Sequence, residues 1–100
     1  MKIDAKTLEI VRAIQRIEKN VPASVVGTFC YVAANNGCDR ADLEKDLDFV
    51  EAQTRRVLEW LAPQRTMDKA GLDLVYQLSD KAGTRLFLTE AGEDLLDVIQ

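Results

Sequence analysis

Histidine is absent from these 100 residues. With it goes the usual general base near neutral pH and the commonest partner of a nucleophilic serine or cysteine. Most hydrolase designs are thereby excluded. Cysteine is scarce: Cys30 and Cys38 are the only two, they form no Cys-x-x-Cys pair, and no secretory signal accompanies them. They read as reduced thiols of a cytoplasmic chain rather than a disulfide or metal site. No Gly-rich run of the G-x-x-x-x-G-K or G-x-G-x-x-G kind occurs, so phosphate cradling by backbone amides has no support. The amino-terminal stretch MKIDAKTLEIVRAIQRIEKN is charged throughout, without the apolar core of a signal peptide. No apolar run reaches membrane-spanning length, and no membrane partner is expected. Acidic neighbours such as Asp46 and Asp48 are ordinary on solvated helix faces. The reading is a non-enzyme with no catalytic residue, no metal ligand and no cofactor.

Hydrophobic residues make up 47% of the chain and charged ones 30%, the profile of one globular domain spanning residues 1–100. A chain of this size buries a modest core, so a partner subunit covering further apolar surface is a natural source of stability. The formal net charge is −4. Residues 67–100 account for all of it, with three basic residues (Lys69, Lys81, Arg85) against seven acidic ones.

The pattern predicts a first helix over about 4–19, capped by Asp4, with Ile3, Ile10, Ile14 and Ile17 on one stripe. Leu8 and Val11 lie off it. Pro22 suits the first turn of a second helix, VPASVVGTFCYVAAN, which is apolar nearly all round and therefore central, with Cys30 a small core residue. Asn36-Gly37 ends it, because glycine tolerates the left-handed conformation of helix termini. Asp39 can cap a short helix, RADLEKDL, with Leu43 and Leu47 inward. A three-residue turn around Asp48 and Phe49 leads to a helix over about Val50 to Ala62. It presents Thr54, Val57, Leu58 and Leu61 inward and leaves Glu51, Ala52, Gln53, Arg55, Arg56 and Glu59 outside. Pro63 closes it.

Beyond 63–71, which carries no clear pattern, LDLVYQL changes to a period of two. Leu72, Leu74, Tyr76 and Leu78 should form one side of a half-buried strand. SDKAG is a turn and TRLFL the returning strand. Thr89 can cap a last helix over about 90–99, with Leu95, Leu96, Val98 and Ile99 in a wide apolar band. The expected fold is mainly α with a β-hairpin wing, an α+β winged helix-turn-helix, with the helix-turn-helix at about 39–62 and the wing at about 72–88.

Residues 42–61 align without a gap on the helix-turn-helix pattern of the multiple-antibiotic-resistance regulator (MarR) family, which this chain resembles. RLFLTEAGEDLL is similar to the segment that follows that family's wing. In DKAGTRLFLTEAG, Arg85 is the counterpart of the family's wing arginine. The resemblance covers most of residues 22–99. It implies sequence-directed binding to double-stranded DNA by a small transcriptional regulator, with the helix from Val50 to Ala62 in the major groove and the hairpin tip near Lys81 at the neighbouring minor groove. The implied DNA-binding residues are Ala52, Gln53, Arg55, Arg56, Lys81 and Arg85. Arginine can contact guanine bidentately or neutralise a phosphate, and glutamine can read an adenine edge.

The departures matter. Val50, Glu51 and Ala52 stand where the family has a Ser or Thr cap and small polar residues, and Glu51 would face phosphates unfavourably. The sequence stops at Gln100, without a counterpart of the family's long additional carboxy-terminal helix. A homodimer is then expected to use the first and last helices through Leu8, Val11, Leu96 and Ile99. The alternative for those four is packing of the first helix on the last within one chain. Arg55 and Arg56 can equally be a solvated face paired with Glu51 and Glu59. The competing function is a protein-binding winged helix, an adaptor or antagonist of a nucleic-acid-binding factor. It draws on the acidic tail and on a helix-turn-helix region that is not strongly basic.

Overall fold

The computed structural model describes the backbone of residues 5–66 and 69–99, and the side chains of 6–64 and 70–97. The expected Asp4 cap and the place of Ile3 in the first stripe lie outside the described residues, as do the side chains of Val98 and Ile99.

Helix α1 (Ala5–Ile17) buries Ile10 and Ile14. Ile17 shares their stripe but is 54% exposed, contrary to its expected core position. The helix ends there, past the edge of the core, and Ile17 lines an open cleft with Arg16 and Leu72 instead. Helix α2 (Ala23–Ala34) is central, with Val25, Val26, Thr28, Phe29 and Val32 buried. Thr28 satisfies its hydroxyl by donating to the Ser24 carbonyl (2.8 Å). Pro22 stands one place earlier than expected, at the N-cap. Its extended ψ sets the carbonyl to accept from Val25 (3.1 Å) and Val26 (3.4 Å).

After α2 the chain turns at Gly37, whose φ of +85° is left-handed and whose missing side chain admits the Phe87 ring, 3.3 Å from where a Cβ would stand. A short strand β1 (Cys38–Asp39) follows. The sequence reading treats these residues as a plain chain reversal, because two residues are too few to show an alternating pattern. Asp39 also caps helix α3 (Arg40–Leu47), accepting from the Ala41 amide (3.1 Å). Asp48, at φ 56°, makes the left-handed turn, and the Phe49 amide returns to the Glu44 carbonyl (2.9 Å). Helix α4 (Glu51–Leu61) buries Thr54, Val57, Leu58 and Leu61 as its spacing predicts.

The unread segment 63–71 holds a second small hairpin, β2 (Gln64–Thr66) with β3 (Lys69–Ala70). The chain then runs back along the end of α4. The amides of Leu72, Asp73 and Leu74 donate to the carbonyls of Trp60, Ala62 and Leu61 (2.9, 3.1 and 2.9 Å). These are carbonyls a helix end leaves without partners. That contact corrects the expected strand. β4 (Val75–Asp80) starts three residues later than the period suggested, and Asp73 at φ 56° shifts its phase. Leu74 and Val75 are both buried, whereas Tyr76 and Leu78 are 36% and 56% exposed.

β4 pairs antiparallel with β5 (Gly83–Leu88), from Val75–Leu88 to Asp80–Gly83, and β1 adds to the other side of β5. Leu86 and Leu88 complete the core. Thr89 caps α5 (Glu90–Ile99), its hydroxyl accepting from the Gly92 amide (3.0 Å) and donating to the Asp73 carbonyl. α5 packs on α1 and β5. Among the described residues no helix is long and apolar enough to cross a membrane.

Candidate nucleic-acid interface

Two polar ties hold α3, one to α4 and one to α2. The Thr54 hydroxyl, fully buried, lies 3.0 Å from Glu44 Oε2 and 3.2 Å from the Val50 carbonyl, so the start of α4 is fastened both to itself and to α3. On the far side of α3, the Tyr31 hydroxyl donates to Asp46 Oδ2 (2.6 Å) and links α3 to α2. The Asp46 hydrogen bond, assisted by burial and by the carboxylate charge, pushes the Tyr31 pKa up to about 12. The Cys38 thiol is also raised, chiefly by burial, which keeps it protonated and unreactive. Cys38 and Cys30 are half-buried against the core and not joined in a disulfide.

With its inner stripe fixed, α4 turns the opposite face to solvent. At about 100° per residue, Ala52, Arg56 and Glu59 occupy the centre of that face. Arg55 falls on one flank beside Glu51 and Glu59, and Gln53 and Trp60 fall on the other. Ala52, Arg55 and Arg56 are exposed and Gln53 is half-buried. The two adjacent arginines therefore diverge rather than act as one patch. Gln53, Arg56 and Trp60 line a cleft of about 410 Å³ whose opposite wall is the start of α2, at Pro22 and Ser24. Val50, at the N-cap without a side-chain hydrogen bond, is 69% exposed on its rim.

The wing carries the other two cations. Lys81 is exposed in the two-residue turn with Ala82, whose amide donates to Asp80 Oδ1 (2.8 Å). Arg85 is exposed on β5, set between Leu78 of β4 and Asp39 of β1. It lies on the sheet face turned from the core, away from Leu86 and Leu88. One residue outside the expected set joins wing and helices. Arg40 Nη1 donates to Gln77 Oε1 (3.4 Å), connecting the first turn of α3 to β4. Its place after the Asp39 cap is visible in the sequence, but the approach of β4 across 37 residues is not.

Of the residues expected at a dimer interface, Leu8 is 41% exposed on α1, while Val11 and Leu96 are half-buried against the core of their own chain. The Ile99 side chain lies outside the described residues.

This arrangement, a tightly turned helix pair followed by a hairpin on a three-stranded sheet, defines a winged helix-turn-helix domain. No protein-family model and no curated protein matches the sequence, but solved structures match the fold. MarR of E. coli, in its apo form, superposes with a TM-score of 0.64 over 94% of this chain and 64% of its own, at 18% identity. A MarR-like transcriptional regulator of Thermotoga maritima gives 0.65 over 98% of this chain and 74% of its own, at 20% identity. S. aureus MepR, in a complex with DNA, gives 0.60 over 88% of this chain and 61% of its own, at 20% identity. The chain thus has the fold of MarR-type regulators and spans less than two thirds of the MarR and MepR chains.

Proposed function

We propose that this chain binds double-stranded DNA with sequence preference and acts as a small transcriptional regulator. The observation that carries the reading is the outer face of α4. It is a short helix locked in angle by Thr54 and Glu44, presenting Ala52, Gln53 and Arg56 together, with the Lys81 and Arg85 hairpin in the same domain. Arg56 and Gln53 read base edges, and Ala52 lets the helix approach closely. Arg55, Lys81 and Arg85 neutralise phosphates. The MepR–DNA complex supports this use of the fold. The functional unit is a homodimer through α1 and α5, with Leu8, Val11, Leu96 and Ile99 at or beside the contact, so that two reading helices address a two-fold site.

Selection of binding sites from random duplex DNA tests the reading. The expected result is enrichment of a motif with two-fold symmetry. Failure to enrich any motif, with no retention of duplex at low salt, would remove it. The acidic balance of the chain, with Glu51 and Glu59 flanking the arginines, favours a second reading: a winged helix that binds a basic protein through this surface. Loss of DNA binding at the lowest ionic strength would promote that reading, because screening is then weakest.

A further inference from the structure

We infer that the free edge of the wing, strand β4, is a pairing surface for a second copy of this chain. The hydrogen-bond pattern shows which backbone groups are free. The Gly37 amide donates to the Leu86 carbonyl (2.8 Å) and the Leu88 amide donates to Asn36 Oδ1 (2.9 Å), so Leu86 and Leu88 turn their backbones toward β1. By alternation Arg85 and Phe87 turn theirs toward β4, where Leu78 and Tyr76 are their partners. The amides and carbonyls of Val75, Gln77 and Ser79 therefore point away from the sheet. Among the described residues the strand order is β1-β5-β4, with nothing paired beyond β4.

Exposed edges are ordinarily blunted by lysine, proline, a bulge or inward charge. β4 has none of these. Its sequence, VYQLSD, carries a single charge at its last residue, and its register with β5 runs without interruption. Its outer face carries an apolar strip between the charged Asp80 and Arg85: Leu78 is 56% exposed, and Tyr76, 36% exposed, is stacked on Phe87 with ring centroids 5.5 Å apart.

The strand is also complementary to itself. In an antiparallel pair about a two-fold axis at Gln77, the two Gln77 residues face each other as a hydrogen-bonded pair. Val75 then faces Ser79 of the second copy, using the free groups identified above. Tyr76 falls opposite Leu78 of the second copy on the same face, in the non-hydrogen-bonded pairs where side chains approach most closely. The two Asp80 residues end at opposite extremes of the ladder. An Arg40 guanidinium from each copy approaches the axis through its bond to its own Gln77 (3.4 Å), and two three-stranded sheets become one of six strands. This self-complementarity selects a second copy over an unrelated extended segment as the occupant, and the contact is independent of any pairing through α1 and α5.

The test is sedimentation velocity of the full chain from low to high micromolar concentration, combined with residue-resolved hydrogen exchange. Gln77→Pro deletes one outward amide without touching the bonds to β5, and Leu78→Lys puts a charge on the outer face. Each should lower the limiting mass: about two-fold where β4 is the one contact formed, and from a closed tetramer or an open chain to a dimer where α1–α5 pairing forms as well. The Gln77 and Ser79 amides should become protected as parent concentration rises. Circular dichroism of both variants and the melt of Leu78→Lys should match the parent, while Gln77→Pro, which also loses the Arg40 contact, should keep the parental spectrum and melt slightly lower; this separates lost pairing from lost folding. A parent whose mass is unchanged by both variants, or whose Gln77 and Ser79 amides exchange freely at every concentration, would overturn the proposal. It would leave the edge to an extended segment of another protein.

Discussion

Arg56 and Arg55 are neighbours in sequence and divided in space. Arg56 lies beside Ala52 and near Gln53 at the cleft and Arg55 on the Glu51 flank, so in the proposed complex Arg56 would read a base and Arg55 would meet a phosphate. Arg56→Ala and Gln53→Ala should each weaken binding to a selected duplex by about 1 to 3 kcal/mol and relax the preference at one base pair. Arg55→Ala should weaken all duplexes alike. Anisotropy titrations against selected and single-mismatch duplexes separate these outcomes, and parental binding by both Arg56→Ala and Gln53→Ala would show that α4 is not the reader. Tyr31 gives a second prediction of different kind. Its folded pKa, at about 12, lies above the ordinary value of 10.0. The folded state therefore keeps the phenol proton that the unfolded chain releases. The Asp46 tie is fully stabilising below pH 10 and is lost as the pH rises from about 10 to 12. Tyr31→Phe should cost about 1 kcal/mol at neutral pH, little because the pair is solvent-exposed. It should also flatten the alkaline fall in stability. Urea midpoints at pH 8, 10 and 11 for parent and variant measure both effects.

At the scale of elements, the helices were legible in the sequence because each carries its own signal. Asp39 and Thr89 make the capping bonds their positions suggest, and Thr54, Val57, Leu58 and Leu61 face inward as spacing predicts. The strands are less legible in the sequence, for a physical reason. The return of 72–74 along α4 depends on carbonyls that belong to another element, and Asp73 at φ 56° moves the alternation by one place. No local pattern reports that. β1 is too short to show a period, and β2 with β3 lies in a segment of mixed polarity. For the candidate site, exposure on α4 could be read from the helical period. The cleft against Pro22 and the Arg40–Gln77 link could not, since both join elements distant in sequence. The return of the chain yields its own prediction. A Cβ on Gly71 would stand 1.9 Å from the Ala62 carbonyl oxygen, a backbone atom that cannot swing aside. Gly71→Ala should therefore pry 72–74 from the end of α4 and cost at least about 2 kcal/mol. Gly27→Ala, on the exposed side of α2 with open space at its Cβ, should instead be neutral or slightly stabilising. Thermal melts of the two variants check the contrast.

Over the whole molecule, the large exposed apolar side chains among the described residues are Leu8 and Ile17 on α1, Val50 at the start of α4, and the Tyr76–Leu78 strip on the wing. Leu8→Glu should reduce mass through the α1–α5 contact while leaving Gln77 exchange unchanged. A light-scattering mass equal to that of the parent would exclude α1 as an interface. Charge sets the last expectation. The chain is acidic overall, at −4, and its cations near the proposed DNA face are few and dispersed: Arg55 and Arg56 on α4, Lys81 at the wing tip, Arg85 beside Asp39. Each phosphate neutralised contributes roughly −0.9 to the slope of log affinity against log salt. If Arg55, Lys81 and Arg85 are the phosphate partners, each protomer should show a shallow slope of roughly −3. Binding to random duplex should then be weak, and most of the affinity for a selected site should come from base contacts. Lys81→Ala and Arg85→Ala should each flatten the slope by about 1 and leave base preference nearly unchanged. Glu51→Gln removes a carboxylate from the first turn of α4 and should strengthen selected and scrambled duplexes alike. Fluorescence anisotropy across a salt series, on both duplexes, resolves these effects. Equal and negligible binding to both at low salt would reject DNA as the partner, because a surface that cannot hold a polyanion when screening is weakest does not hold one at physiological ionic strength.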